Sequence, residues 1–256
     1  MIHNILSTID LDAIVEISKK AGLKILEVYN NPRAHQLTLK TDNSPVTAAD
    51  IAAHNLIFNE LKRLYPDIPV ISEEGPAVPY EIRANWLCFW VVDPLDGTRE
   101  FMNRNGEFTV NIALVINNKP VLGVIHAPAL GQTFSGSLLH GASKETAGFA
   151  PKQIGVKPSN RRVAVRSRSH GSAQEEKVLA VLGAKECLQV GSSLKFCLVA
   201  DGVAAYYYRH APTMEWDTAA GQAIVEAAGG SVTTPDRLPL LYNKKTLRNG
   251  SFLCMA

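Results

Sequence analysis

One stretch constrains the rest of the chain more than any other. Trp86–Val92 is an apolar run that reads as a buried strand, and it ends abruptly on Asp93-Pro94-Leu95-Asp96-Gly97-Thr98. Pro94 lacks a backbone N–H and has a fixed φ, so the strand is not expected simply to continue. Asp93 and Asp96 can then converge across a tight turn, with the Leu95 carbonyl directed at the same space. Two carboxylates and a carbonyl make a hard oxygen cluster, which suits Mg²⁺ better than zinc. Gly97 lets the backbone come close to a ligand. Thr98 supplies a hydroxyl where a helix can begin, and amide groups at a helix start bind phosphate. The plain structural alternative is an Asp-Pro turn followed by an Asp-Gly turn, with Thr98 as a cap.

Two further acidic points stand apart in sequence. Ser72-Glu73-Glu74-Gly75 follows a short strand about 20 residues upstream, where paired glutamates are ordinarily just solvated. Glu215-Trp216-Asp217-Thr218 lies far downstream at an expected helix start, where Asp217 could serve as a helix cap.

The patterning divides the chain into two styles. Leu11, Ile14, Val15, Ile25, Leu26 and Tyr29 recur at helical spacing, and Asn30-Asn31-Pro32 ends that helix. A polar link turns at Asp42–Pro45. A second helix is expected over about Thr47–Tyr65, with Ile51, Ile57, Leu61 and Leu64 inward. The period then changes. Ile68–Ser72 reads as a short strand, Glu107–Ile116 and Pro120–His126 as a hairpin across Asn117-Asn118, and Gln132–Leu138 as a further strand. Between about Gly141 and Pro158 the chain turns polar, with several glycines and prolines, and a soft boundary is placed there. Beyond it strands alternate with helices: Arg162–Arg166, Ala173–Leu182, Cys187–Val190, Ser193–Ala200, Ala204–Tyr208 and Thr218–Ala228, the last ended by Gly229-Gly230. Ser231–Thr234 and Phe252–Met255 read as final strands. Residues 1–150 are thus expected to form an α+β domain and residues 151–256 an α/β domain.

Composition excludes several classes. With 46% apolar and 20% charged residues in 256, the chain can build a core and is not globally disordered. A net charge of +2 with scattered basic residues gives no footprint for a nucleic-acid polymer. No apolar run approaches the roughly 20 residues of a membrane span, and the start Met1-Ile2-His3-Asn4 does not read as a signal peptide. Cys88, Cys187, Cys197 and Cys254 form no CxxC pair and sit in apolar settings, so buried reduced thiols and a cytoplasmic location are expected.

The acidic segments together carry a resemblance. Asp93–Thr98, Trp216-Asp217 with Gly229-Gly230 downstream, and Ser72-Glu73-Glu74 are similar to the motifs of the inositol monophosphatase superfamily of Mg²⁺-dependent, lithium-sensitive phosphatases. Asp96–Phe101 leading into Asn105–Leu114, together with Pro212–Gln222, resembles the 3'(2'),5'-bisphosphate nucleotidase branch. The likeness runs from Lys40 to Gly230. It implies a layered αβαβα sandwich in which the second domain completes the metal site and binds the nucleotide.

Residue by residue, the resemblance implies Glu73, Asp93, the Leu95 carbonyl, Asp96 and Asp217 as ligands for two or three Mg²⁺ ions, with Glu74 a weaker match than Glu73. It implies Thr98 as the threonine that holds the attacking water and Asp50 as its partner, although Thr47-x-x-Asp50 also has the form of a capping box. Gly97, Thr98, Ser167, His170, Ser193, Lys195 and Asp217 are the implied substrate contacts, with Lys195 offering a phosphate a point charge and His170 a hydrogen bond. Read from the residues alone, Lys195 is equally a surface lysine and His170 a satisfied loop histidine. His210-Ala211 and Tyr206-Tyr207-Tyr208 depart from the branch's pattern. The implied reaction is removal of the 3'-phosphate from 3'-phosphoadenosine 5'-phosphate, with the sulfated form as a second substrate and a role in sulfate assimilation. An inositol or sugar monophosphatase and a non-catalytic nucleotide sensor are the alternatives. The resemblance also leaves open peripheral attachment to the cytoplasmic face of the inner membrane. Oligomeric state is not readable from the sequence.

Overall fold

The computed structural model describes residues 2–31, 37–39, 45–157, 162–169 and 171–256. Among these, the helices are α1 (Ile2–Leu6), α2 (Leu11–Tyr29), α3 (Ala48–Leu64), α4 (Tyr80–Arg83), α5 (Thr98–Met102), α6 (Ala173–Val181), α7 (Leu194–Ala200) and α8 (Ala219–Ala227). The strands are β1 (Leu37–Leu39), β2 (Pro45–Thr47), β3 (Val70–Ser72), β4 (Cys88–Asp96), β5 (Thr109–Ile116), β6 (Lys119–Ala127), β7 (Gln132–Ser137), β8 (Gly141–Thr146), β9 (Lys152–Ile154), β10 (Val163–Ser167), β11 (Glu186–Val190), β12 (Tyr206–Arg209), β13 (Thr213–Met214), β14 (Ser231–Thr233), β15 (Arg248–Asn249) and β16 (Phe252–Met255).

Alternation along β5 shows why the layers form. Val110, Ile112, Leu114 and Ile116 point to one face and pack with Ile14, Ile17 and Ile25 of α2 and Ile57 and Leu61 of α3. Ala113 and Val115 point to the other face and join Phe196 of α7 and Ile224 of α8. A sheet apolar on both faces must be covered on both. The seven strands β3-β4-β5-β6-β7-β8-β9 therefore carry α2 and α3 on one side and α7 and α8 on the other. The five strands β11-β10-β12-β16-β14 close over the far side of α7 and α8. Helix α6 caps that second sheet through Leu179, Tyr208 and Leu253. The resulting order is helix, sheet, helix, sheet, helix, the expected αβαβα sandwich. The first sheet runs through Ile154 and the second begins at Val163. No helix among the described residues is long and apolar enough to cross a membrane.

The local signals act as expected at most ends. Asp10 caps α2 by accepting from the Asp12 and Ala13 amides, and Thr47 and Asp50 form a reciprocal capping box on α3. Asn117 and Asn118 both take positive φ, 51° and 62°, the conformation of a tight two-residue hairpin turn. Three expectations are corrected. Ile51 is exposed, because the buried face of α3 runs through Ala49, Ala53, Ile57 and Leu61 instead. Cys187 is exposed and Cys88 only half-buried, since Cys187 lies on the edge strand β11; all four thiols are free. Pro94 does not end its strand: the ladder is bulged between Asp93↔Asn111 and Asp96↔Thr109 and then resumes.

Helix α8 lies close to its neighbours through two glycines. A Cβ on Gly123 of β6 would sit 2.4 Å from the Ala220 carbonyl oxygen, and one on Gly221 would sit 2.4 Å from the Phe196 ring of α7. Backbone cannot yield as a side-chain tip can. Gly123→Ala is therefore expected to lower stability by about 1–3 kcal/mol through overpacking, read as a drop in the thermal midpoint.

Candidate active site

The β4 bulge sets the site. Asp93 and Asp96 flank Pro94 and Leu95, and the Leu95 amide donates to Asp93 Oδ1 at 3.1 Å. Beside them, β3 ends at Ser72, and the Glu73 amide donates to the Val92 carbonyl at 3.1 Å, so Glu73 emerges next to Asp93. Asp217 arrives from the turn before α8. Its Oδ2 accepts from the Met214 amide at 2.8 Å, whereas the N-cap of α8 is Thr218, so Asp217 is not spent as the helix cap. Carboxylate oxygens of Glu73, Asp93 and Asp217 all lie within 4.8 Å of one another. Three segments distant in sequence thus deliver one acidic cluster.

Electrostatics shows what that costs. Burial, then the charges of Glu73, Asp96 and Asp217, push the Asp93 carboxyl well above the usual range. Burial, then Asp96 and Glu73, do the same to Asp217. Asp96 is also raised by burial, against the opposing pull of Lys195 and of hydrogen bonds from Ser192 and Ser193. Asp50 is pushed up to about 6, chiefly by burial. Buried carboxylates that cannot all ionise together are relieved by a hard divalent cation, and an all-oxygen donor set fits one.

The second sheet reaches this cluster through the loop between β11 and α7. The Ser192 hydroxyl donates to Asp96 Oδ2 at 2.7 Å, and the Ser193 amide donates to the same oxygen at 2.6 Å. The Ser193 hydroxyl donates to Asn111 Oδ1 at 2.7 Å, one strand over from Asp93. Ser192 holds a φ of 55°, unusual for a side-chain-bearing residue. Lys195 is buried rather than a surface lysine. Its Nζ donates to the Ser192 carbonyl and lies 5.4 Å from the Tyr207 ring centroid, and burial lowers its pKa to about 8.

A cavity of about 350 Å³ opens beside the cluster. Glu73, Asp96, Gly97, Thr98, Ser167, Ser193, Lys195 and Asp217 all line it. Gly97 stands at φ 89° and begins α5, so Thr98 occupies the first turn as expected. Asp50 lies near enough to act on Asp93, and its Oδ2 accepts from the Thr47 hydroxyl at 2.6 Å and the Thr47 amide at 2.8 Å. Among the described residues no hydrogen bond joins Asp50 to Thr98. Glu74 lies beside Asp50 and raises its pKa. His170 lies outside the described residues.

Sequence reasoning passed over several neighbours. Ser192 is the loop residue bound to the Asp96 side chain through its hydroxyl. Arg209 lines the cavity and pairs with the buried Glu175 at 3.5 Å. Glu107 accepts from Arg168 Nε and Nη2 and from the Gly191 amide at 2.8 Å, tying that loop to the segment that enters β5. Ser192 stands beside the expected Ser193 and Glu107 lies within Asn105–Leu114, but spacing gave no sign that they would touch Asp96 and Arg168.

The raised carboxyls fix how stability depends on pH. A group whose folded pKa exceeds its unfolded value contributes stability below the ordinary value near 3.8 and loses it as the pH climbs through the raised value. For Asp50 that window closes at about 6, and the raised Asp93 and Asp217 carboxyls act in the same direction. In chelator the thermal midpoint should therefore fall as the pH climbs through about 6, and excess divalent cation should flatten or reverse that slope, because a bound cation favours the ionised form.

Comparison with known proteins bears on the same residues. The inositol monophosphatase family model matches residues 9–254. Over 235 residues the chain is 48% identical to the 3'(2'),5'-bisphosphate nucleotidase CysQ of Escherichia coli strain K12, covering 92% of this chain and 94% of that one. The CysQ of Haemophilus influenzae is 37% identical over 95% of this chain and 91% of its own. Among solved structures, CysQ from Bacteroides thetaiotaomicron superposes with a TM-score of 0.85 at 42% identity, covering 96% of both chains. An inositol monophosphatase from Anabaena gives 0.74 at 26% identity, covering 96% of this chain and 89% of that one. With the family's model matched over nearly its whole length, the chain belongs to the inositol monophosphatase family, a family of metal-dependent phosphatases.

Proposed function

We propose that the chain is a Mg²⁺-dependent phosphatase that removes the 3'-phosphate of 3'-phosphoadenosine 5'-phosphate, leaving AMP and phosphate. The observation that carries this reading is the cluster of the buried Asp93 with the half-buried Glu73 and Asp217, beside a cavity lined by Thr98 and by the loops of the second sheet. The nucleotide substrate is supported by the 48% identity to a relative named as a 3'(2'),5'-bisphosphate nucleotidase. Acceptance of the sulfated nucleotide and a place in sulfate assimilation follow from the same likeness. The four free thiols support a cytoplasmic location.

Hydrolysis of a phosphate monoester is so slow unaided that a catalyst must supply on the order of 20 kcal/mol or more. Bound Mg²⁺ ions would neutralise phosphate charge, lower the pKa of a water and stabilise the leaving oxygen. Glu73, Asp93, Asp96, Asp217 and the Leu95 carbonyl would hold two or three such ions. Thr98 orients the attacking water. Asp50, already bonded to Thr47, accepts from the Thr98 hydroxyl in this reading. Asp217 stands on the leaving-group side. Gly97 brings its backbone against the phosphate, while Ser167, His170, Ser193 and Lys195 serve the nucleotide. Lys195 does so partly through the Ser192 carbonyl that it holds.

The test is phosphate release from the adenosine bisphosphate, with inositol monophosphate as a parallel substrate, with and without Mg²⁺ and with lithium added. Turnover of the bisphosphate that requires Mg²⁺ and greatly exceeds that of the inositol ester is expected. Asp96→Asn should reduce it to background while the protein stays folded by circular dichroism. Preference for the inositol ester would reassign the substrate, and full activity of Asp96→Asn would remove Asp96 from the metal site.

A further inference from the structure

Glu215 is fully buried, two residues before Asp217, and no step of the proposed reaction uses it. Its carboxylate is nonetheless among the most heavily bonded in the molecule. Oε2 accepts from the Asn243 amide at 2.7 Å. Oε1 accepts from the Lys244 amide at 3.0 Å and from Lys244 Nζ at 2.6 Å. The Glu215 amide in turn donates to the Leu247 carbonyl at 2.8 Å. Asn249, farther along the same segment, donates from Nδ2 to the Met214 carbonyl at 2.9 Å and to the Thr218 hydroxyl at 3.0 Å. The turn that carries Asp217 is thus pinned on both sides to residues 243–249.

That segment is fastened at its other end to Arg83, which is only 3% exposed. Arg83 Nη1 donates to Asn243 Oδ1 and to the Lys244 carbonyl, both at 2.7 Å, and Nη2 donates to the Lys245 carbonyl at 3.0 Å. Asn243 Nδ2 returns a bond to the Arg83 carbonyl at 2.6 Å. Arg83 Nε also donates to the Val78 carbonyl at 3.3 Å, within the chain that leads from Glu73 into α4. A chain of hydrogen bonds, buried from Arg83 through Asn243 to Glu215 and part-buried at the Val78 carbonyl, therefore joins the segment that follows Glu73 to the turn holding Asp217.

We propose that Arg83, Asn243 and Glu215 are positioning residues that fix the spacing of the Glu73 and Asp217 carboxylates, and so set the affinity of the cluster for its divalent cation. This rests on reading Glu73, Asp93 and Asp217 as metal ligands. The physical case is repulsion. Like charges within 4.8 Å drive their segments apart, and Glu73 and Asp217 sit on separate segments. A charged network that is fully satisfied resists that force, because each bond lost would strand a buried polar group. An Arg fork makes its contacts in fixed geometry, which a lysine cannot reproduce. Supporting groups around metal ligands are typically worth about 10–100-fold in metal affinity.

The experiment is calorimetric titration of the metal-free, full-length protein with MgCl₂, for wild type, Glu215→Gln and Arg83→Lys, with Ile14→Ala, in the core of α2 on the opposite face of the first sheet, as a variant destabilised at a distance. Both network variants should bind Mg²⁺ about 10-fold or more weakly. Their kcat at saturating Mg²⁺ should stay near that of wild type, so the defect lies in the Mg²⁺ requirement rather than in turnover. Ile14→Ala should lose stability with little change in Mg²⁺ affinity. Affinity within about twofold of wild type in the network variants would overturn the proposal, as would an equal loss in Ile14→Ala. If Glu215→Gln does not fold, Arg83→Lys decides by the same criterion. A wild type that binds no Mg²⁺ would overturn the metal-site reading itself.

Discussion

Everything about this site turns on forcing like charges together away from water. Asp93, Asp96 and Asp217 each carry a carboxyl held above its usual range, and burial is the largest cause in every case. A chain adopts such an arrangement only if the surrounding fold is stable enough to impose it. Both apolar clusters flanking the first sheet supply that stability, and β4 sends side chains into each just before its bulge, Phe89 and Val91 to one and Trp90 and Val92 to the other. The same crowding of acidic oxygens makes the cluster a candidate seat for a divalent cation, which would neutralise the repulsion.

The division of labour follows the layers. The first sheet contributes Glu73, Asp93, Asp96 and Thr98 from adjacent strand ends. Asp217 comes from the middle helical layer, and the second sheet contributes the loop whose serines grip Asp96. Neither sheet holds a complete site. The cavity lies where they meet, as is common when a pocket must present both apolar and polar walls.

Much of this was legible beforehand, for physical reasons. Strong periodicity in Leu11–Tyr29 fixed the helix, because one face of it must be buried, and the Asn117-Asn118 turn between two apolar runs fixed the hairpin of β5 and β6. The Asp-Pro-Leu-Asp-Gly-Thr string was readable because few other roles explain a buried run ending in two acids. What was hidden depends on contacts across the chain. Nothing in the sequence tells that Ser192 meets Asp96, that Arg83 meets Asn243 some 160 residues away, or that Lys195 turns inward onto its own loop. Ile51 misled because its helix leans on alanines, and apolar size alone does not say which stripe faces the sheet. Pro94 misled because a bulge lets an antiparallel pair absorb one irregular step and carry on.

The tight seat of Gly221 against Phe196 has one more consequence. Helix α7 begins just after Ser193 and α8 just after Thr218, so the distance between these two rods is also the width of the gap between the serine loop and Asp217. A bulkier residue at that contact would push both walls of the cavity at once. The width of the cavity and the seat of Asp217 are therefore geared together through one apolar touching point, whose Phe196 side itself lines the cavity.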